Sequence, residues 1–326
     1  MKVFVTGGNG FIGSRTVHEL VRRGHDVRCL LRTTSNVDRI RGVPFETHYG
    51  DILDLESLRA GVAGCDAIIH LAGVSSWSQI REMGAALHSV AVEGTRNILQ
   101  AGLDHQVSRV VCVSSSVAIN ASSAPIVFNE NSNYELDGSG LHYSIAKHEA
   151  EKVIESFAKN QGMKVVTVNP CEVYGPEDDA LVTAGNLMEV LKGGCTLVCS
   201  GGTAVAHVDD IARGIVAALD KGRPGERYIL GGENLSIEGL ARKVRRVAGK
   251  KGPIVRISNR ILVPLCRLIS RLGLPSPVPL DVLNYAVLYW FVDSTKAQRE
   301  LGYAHRPTEE TLEDVVRWLR KTGRLA

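Results

Sequence analysis

The first thirteen residues constrain the fold more than any other stretch. Met1-Lys2-Val3-Phe4-Val5-Thr6 reads as a short apolar strand and runs directly into Gly7-Gly8-Asn9-Gly10-Phe11-Ile12-Gly13. Val17, Leu20 and Val21 then recur at helical spacing. Strand, glycine turn and helix in that order build a phosphate cradle. Gly7 permits the tight turn, Gly10 lets backbone approach a pyrophosphate, and Gly13 lets helix pack close on strand. Free N–H groups of the first helical turn then face the anion.

The first half of the chain continues the alternation. Strands are expected at 2–6, 26–31, 45–49, 66–71, 109–114 and 164–168, and helices at 12–23, 55–63, 85–103, 142–160 and 179–193. Strand cores such as Ala67-Ile68-Ile69-His70-Leu71 and Val110-Val111-Cys112-Val113 are nearly continuous apolar runs, which suits a parallel sheet covered on both faces. Right-handed crossovers make this an α/β protein with a doubly wound parallel sheet and a ligand at the carboxyl ends of its strands. At 326 residues the chain has room for about two domains. Residues 1–170 are expected to form the dinucleotide-binding domain, with 203–231 returning to it, and 171–326 to form mainly a smaller, partly interleaved substrate domain.

Composition excludes several classes. A net charge of +3 with no dense basic stripe argues against nucleic acid. No apolar run reaches the ~20 residues that span a bilayer, and no signal peptide is expected, because the opening residues read as a strand the fold needs. Seven scattered cysteines fit a reducing cytoplasm, and Cys195 and Cys199 lack the second pair a zinc site needs. Ser258 to Leu274 places Arg260, Arg267 and Arg271 among leucines and isoleucines. It reads as an amphipathic helix over a substrate pocket, with a membrane-surface contact as the alternative.

The end of the second strand bears on cofactor choice. An acidic residue there holds the ribose 2′-hydroxyl of NAD. This chain has Cys29-Leu30-Leu31-Arg32 instead, and a guanidinium pairs with a 2′-phosphate, so NADP is favoured over NAD. Asp51 and Ile52, after the third strand, are placed at the adenine, with a helix cap as the other reading of Asp51. Leu71, Ala72 and Gly73 end the fourth strand with small residues that leave room for the ribose-phosphate run.

Tyr143 and Lys147 stand four apart in an expected helix and share a face. A tyrosine titrates near pKa ~10, and a nearby ammonium favours its phenolate. The pair therefore suits proton transfer at a carbonyl or alcohol oxygen. Ser114-Ser115-Ser116 closes the fifth strand with three hydroxyls, one of which can hold that oxygen.

Thr6 to Gly13, the serine run and Tyr143-x3-Lys147 resemble the extended short-chain dehydrogenases/reductases, the NAD-dependent epimerase/dehydratase family. Gly94-Thr95-Arg96-Asn97, Asn169-Pro170-Cys171-Glu172-Val173-Tyr174-Gly175-Pro176 and His207-Val208-Asp209-Asp210 match further landmarks. The resemblance implies that Tyr143 is the acid/base, that Lys147 binds the nicotinamide ribose, and that Ser115 holds the substrate oxygen. It also implies that Pro170 and Val173 border the nicotinamide, and that helices 85–103 and 142–160 form a homodimer interface. Trp77, Ser116 and Glu172 are the substrate-side candidates.

Departures from the family narrow the reaction. Ser115-Ser116-Val117 replaces the Thr-Asp-Glu of sugar dehydratases. Thr203 stands where nucleotide-sugar epimerases carry a diphosphate-binding arginine, and Ala91 stands where a relay asparagine is usual. These features resemble the dihydroflavonol-reductase-like branch, with a second likeness to the hopanoid-associated epimerase-like branch. The expected activity is NADP-dependent hydride transfer to or from a small, fairly apolar carbonyl or alcohol. The alternative is an NAD-dependent nucleotide-sugar epimerase.

Overall fold

The computed structural model describes residues 1–73, 85–274 and 280–325. In chain order the strands are β1 (Lys2–Thr6), β2 (Asp26–Leu31), β3 (Glu46–Tyr49), β4 (Ala67–His70), β5 (Arg109–Val113), β6 (Val127–Phe128), β7 (Val165–Pro170), β8 (Glu172–Tyr174), β9 (Thr196–Val198), β10 (Gly202–His207), β11 (Arg227–Leu230), β12 (Glu233–Ser236), β13 (Ile254–Arg256) and β14 (Tyr289–Val292). The helices are α1 (Phe11–Arg22), α2 (Leu55–Val62), α3 (Ala85–His88), α4 (Gly94–Asp104), α5 (His142–Gln161), α6 (Met188–Lys192), α7 (Val208–Lys221), α8 (Ile237–Ala248), α9 (Asn259–Arg271), α10 (Leu280–Ala286), α11 (Thr295–Leu301) and α12 (Thr308–Lys321).

The expected doubly wound sheet is present. Its seven parallel strands run β11-β7-β5-β4-β1-β2-β3, so chain order reverses on either side of β1. Alternate residues of each strand face opposite helix layers. Val3 and Val5 pack with Val17 and Leu20 of α1 and with Ile211 and Ile215 of α7. Phe4, between them, packs with Leu58 of α2 and Ile98 of α4. Each such fully buried side chain contributes roughly 1.5–3 kcal/mol, and the rigid sheet they hold fixes the strand ends that carry the site.

A second sheet runs β12-β10-β14-β6, with β8 also paired to β10. Residues 202–207 belong to this sheet. The return to the large sheet starts only at α7, which packs on α1, and ends at β11, which pairs with β7. Asp210 of α7 joins the two halves. It is fully buried, and its carboxylate accepts from the Arg306 backbone N–H at 2.8 Å and from Arg306 Nη2 at 2.9 Å. Arg213 Nη2 is a further partner. Asp210→Ala removes these charge-assisted bonds, while Arg306 is partly exposed and keeps Asp314 at 3.5 Å, so stability is expected to fall by about 1.5–3 kcal/mol. The guanidinium unfolding midpoint, at unchanged slope, is the measurement.

The helix expected over 179–193 forms only in part. The Asp178 carboxylate accepts from the backbone N–H groups of Val182, Thr183 and Ala184, each at 2.9 Å. This side-chain turn competes with helix, and Leu181 sits at φ 49°. A tight turn over Ala184–Leu187 and the short α6 are what remain.

Candidate active site

A cleft of 1080 Å³ follows the carboxyl ends of the large sheet and continues to the second sheet. The glycine turn forms one end. Gly7 holds φ +71°, and a Cβ on it would lie 2.7 Å from Ala72 N. A Cβ on Gly13 would lie 1.9 Å from the Gly7 carbonyl oxygen, whereas one on Gly10 would meet that oxygen at 3.2 Å. Helix α1 starts at Gly10 with no side-chain cap and no acid in its first turn. Gly10, Phe11, Ile12 and Gly13 all line the cleft. Uncapped N–H groups with space in front of them fit a dinucleotide's pyrophosphate.

Arg32, Asp51 and Ile52 line the same end, and Leu71, Ala72 and Gly73 line its middle. Arg32 is exposed and its guanidinium has no partner among the described residues. Asp51 is not the cap of α2. That role belongs to Asp54, which accepts from Glu56 N and Ser57 N, while Asp51 Oδ1 accepts from Leu53 N at 2.9 Å.

Tyr143 and Lys147 lie in the first two turns of α5 and line the cleft, as do Pro170 and Val173 from β7 and β8. Lys147 Nζ is 6.0 Å from the centre of the Tyr143 ring, and a Cβ on Gly73 would lie 3.4 Å from Nζ. The helix start is pinned from two sides. Ser144 N donates to the Tyr285 hydroxyl at 3.1 Å, and Ser144 Oγ donates to Val117 O at 2.7 Å.

The three serines differ in their surroundings. Ser114 Oγ is buried beside Glu151. Ser115 Oγ accepts a long hydrogen bond from Val117 N, 3.4 Å. Ser116 lines the cleft, and its hydroxyl has no hydrogen bond among the described residues. Glu172 lines the substrate end, where Oε1 accepts from Tyr174 Oη at 2.7 Å and from Asn186 Nδ2 at 2.9 Å. Trp77 lies outside the described residues.

Sequence reasoning missed the support beneath these groups. Glu151, one turn beyond Lys147, is fully buried; its Oε2 lies 2.5 Å from Arg227 Nη2, and its Oε1 accepts from Asn169 Nδ2 at 2.6 Å. Burial raises its pKa, against the pull of Arg227. Asn169 Nδ2 also donates to Ser115 O at 2.9 Å, which ties the serine run to α5. His70 is buried behind Lys147, with Nδ1 2.8 Å from Thr6 Oγ1 and Nε2 3.2 Å from Thr95 Oγ1. Burial and the neighbouring ammonium push its pKa down to about 3, so it stays neutral at physiological pH. Thr95 donates to Ala91 O at 2.6 Å, which leaves it to accept from His70 Nε2–H and fixes that tautomer. The i, i+4 step from Lys147 to Glu151 was the sequence signal that could have found Glu151.

A sequence model of the NAD-dependent epimerase/dehydratase family matches residues 3–231. The chain belongs to that family. Its members are NAD(P)-dependent reductases, dehydrogenases and epimerases, and this chain is an NAD(P)-dependent enzyme of that kind. A Synechocystis protein provisionally named dihydroflavonol 4-reductase is 30% identical over 332 residues, covering 98% of this chain and 95% of that protein. A Stigmatella aurantiaca protein named 4-hydroxy-2-methyl-3-oxo-4-farnesyl-3,4-dihydroquinoline-1-oxide ketoreductase is 28% identical, covering 99% and 98%. The crystal structure of gox2253 superimposes with a TM-score of 0.88 at 31% identity, covering 99% of both chains.

Proposed function

We propose that the protein is an NADP-dependent carbonyl reductase or alcohol dehydrogenase for a small apolar substrate. The observation that carries this reading is the charge distribution of the cleft. Among the described lining residues the only cations are Arg32 at the adenosine end and Lys147 at the centre, and no arginine stands at the substrate end to hold a sugar-nucleotide diphosphate. Thr203 occupies that wall, with Leu187, Val190, Leu240, Val282 and Trp290. The names of the two relatives above, a reductase and a ketoreductase, support the same class.

The dinucleotide, when bound, supplies or accepts the hydride. The chain's own residues do the rest. The first turn of α1 holds the pyrophosphate, Arg32 pairs with the 2′-phosphate, and Asp51 and Ile52 take the adenine. Lys147 holds the nicotinamide ribose, and Pro170 and Val173 shield the ring. Tyr143 Oη gives its proton to the carbonyl oxygen in reduction and takes it back in oxidation. Ser115 orients that oxygen: its bond from Val117 N uses a lone pair and leaves the O–H free to donate, and Ser116 stands beside it on the substrate side of the cleft. In domain terms, the large sheet with α7 and β11 carries the cofactor, and the second sheet with α6, α8 and α10 carries the substrate. A homodimer through α3–α4 and α5 belongs to the same proposal, with sedimentation as its readout.

Arg32→Ser removes the one cation at the 2′-phosphate position. NADPH affinity is expected to fall about tenfold to a hundredfold, as for loss of a charge-assisted bidentate pair, while NADH affinity changes little. Fluorescence titration with both nucleotides checks this, and equal losses for the two would remove Arg32 from the site. The activity itself is tested by NADPH oxidation against a panel of cyclic and aromatic ketones, with nucleotide-sugars alongside. Turnover of the sugars alone would overturn the reading.

A further inference from the structure

Helix α9 was expected to roof the substrate pocket, and it does not. None of its residues lines the cleft. Cys266 is buried on its underside, yet Ile261, Leu265, Leu268, Leu272 and Leu274 are 49–64% exposed. With 3.6 residues per turn, Ile261, Leu265, Leu268 and Leu272 fall in one row, and Arg260, Arg267 and Arg271 fall in another about 110° away. Residues 239–280 contain ten Lys or Arg and no Asp or Glu. Leu197 and Val255, cross-strand partners on the ribbon just before the helix, are exposed as well.

We propose that α9 lies on an anionic lipid bilayer, with its leucine row in the acyl boundary and its arginine row at the lipid phosphates. A helix apolar on an outward row and basic along its flank has the layout of an interfacial helix. Its 13 residues extend about 20 Å, too short to span the ~30 Å hydrocarbon core. No helix among the described residues is long and apolar enough to cross a membrane. A second copy fits the face less well than lipid does. It would bring three more arginines to the same rim with no acid to meet them. The neighbouring α10 packs on α9 and gives Val282, Tyr285 and Ala286 to the cleft wall. Docking through α9 thus sets one wall of the substrate cleft beside the bilayer. The docking itself does not rest on the reductase reading.

The test is co-sedimentation of the full-length protein with phosphatidylcholine vesicles and with vesicles containing phosphatidylglycerol. The protein is expected to pellet with the anionic vesicles and to leave them as salt rises. Replacing Arg260, Arg267 and Arg271 by Gln weakens binding roughly fivefold per arginine. Leu265→Ser with Leu268→Ser weakens it by about tenfold or more. The far-UV circular dichroism spectrum and thermal midpoint stay unchanged in both variants and report that they are folded. Absence of the wild type from both pellets would overturn the proposal, as would pelleting that neither variant alters. A leucine variant that halves the sedimenting mass would assign the face to a second copy instead.

Discussion

Tyr143→Phe is expected to lose about 10²–10⁴-fold in kcat, the usual contribution of a positioned acid/base, with nucleotide affinity nearly unchanged. The substitution deletes one oxygen. It leaves the ring, its place near Lys147 and the anchoring of α5 through Ser144 as they are. A fall in kcat with constant NADPH binding therefore reports proton transfer. The hydroxyl of Tyr285 is the nearest structural rival, but it is engaged with Ser144 N at the helix start, so Tyr285→Phe should cost stability before it costs chemistry. A Tyr143→Phe enzyme that keeps most of its rate would remove Tyr143 from the chemical role.

Gly13→Val is expected to abolish dinucleotide binding and to destabilise the fold. A Cβ at this position would overlap the Gly7 carbonyl oxygen at 1.9 Å, and both atoms belong to backbone. Relief requires α1 to move away from β1, but α1 is held by the core around Val17 and Leu20 and by its packing on α7. Overpacking in such a site costs about 1–3 kcal/mol or more. The displaced helix start no longer presents its N–H groups to the pyrophosphate. Calorimetric titration with NADPH, alongside a thermal melt, separates the two effects. Gly10→Ala makes the comparison, because its Cβ meets the Gly7 oxygen at 3.2 Å. It should fold nearly normally and lose affinity only where the cofactor comes close.

Much of this was legible in the chain because the large sheet is buried on both faces. Its strands are continuous apolar runs, and the glycine turn fixes where the first helix starts. Most short strands outside the large sheet were not legible. Glu233–Ser236 of the second sheet, and Ile254–Arg256 of the separate two-stranded ribbon with β9, carry too little pattern in three or four residues, and only pairing with β10 and β9 makes them strands. The stretch 179–193 has helical composition, but Asp178 captures the backbone N–H groups that a helix would use. Gly7, Gly10, Gly13, Arg32, Asp51 and Leu71 to Gly73 follow local rules of turn and strand end, so their place on the cleft wall could be read from sequence. Glu151, Asn169, Arg227 and His70 act through contacts across long sequence separations. Asn169 and His70 were visible only as parts of motifs, and Arg227 not at all.

The most direct test of the central claim is hydride transfer with NADPH carrying deuterium at both nicotinamide C4 positions, using a ketone that the wild-type enzyme turns over. The expected result is deuterium on the carbinol carbon of the product, with one NADPH consumed per alcohol formed and no nucleotide released when freshly purified protein is denatured. Stoichiometric NAD released on denaturation, with no net consumption of NADPH by any carbonyl substrate, would contradict the account and assign the site to internally recycled epimerisation.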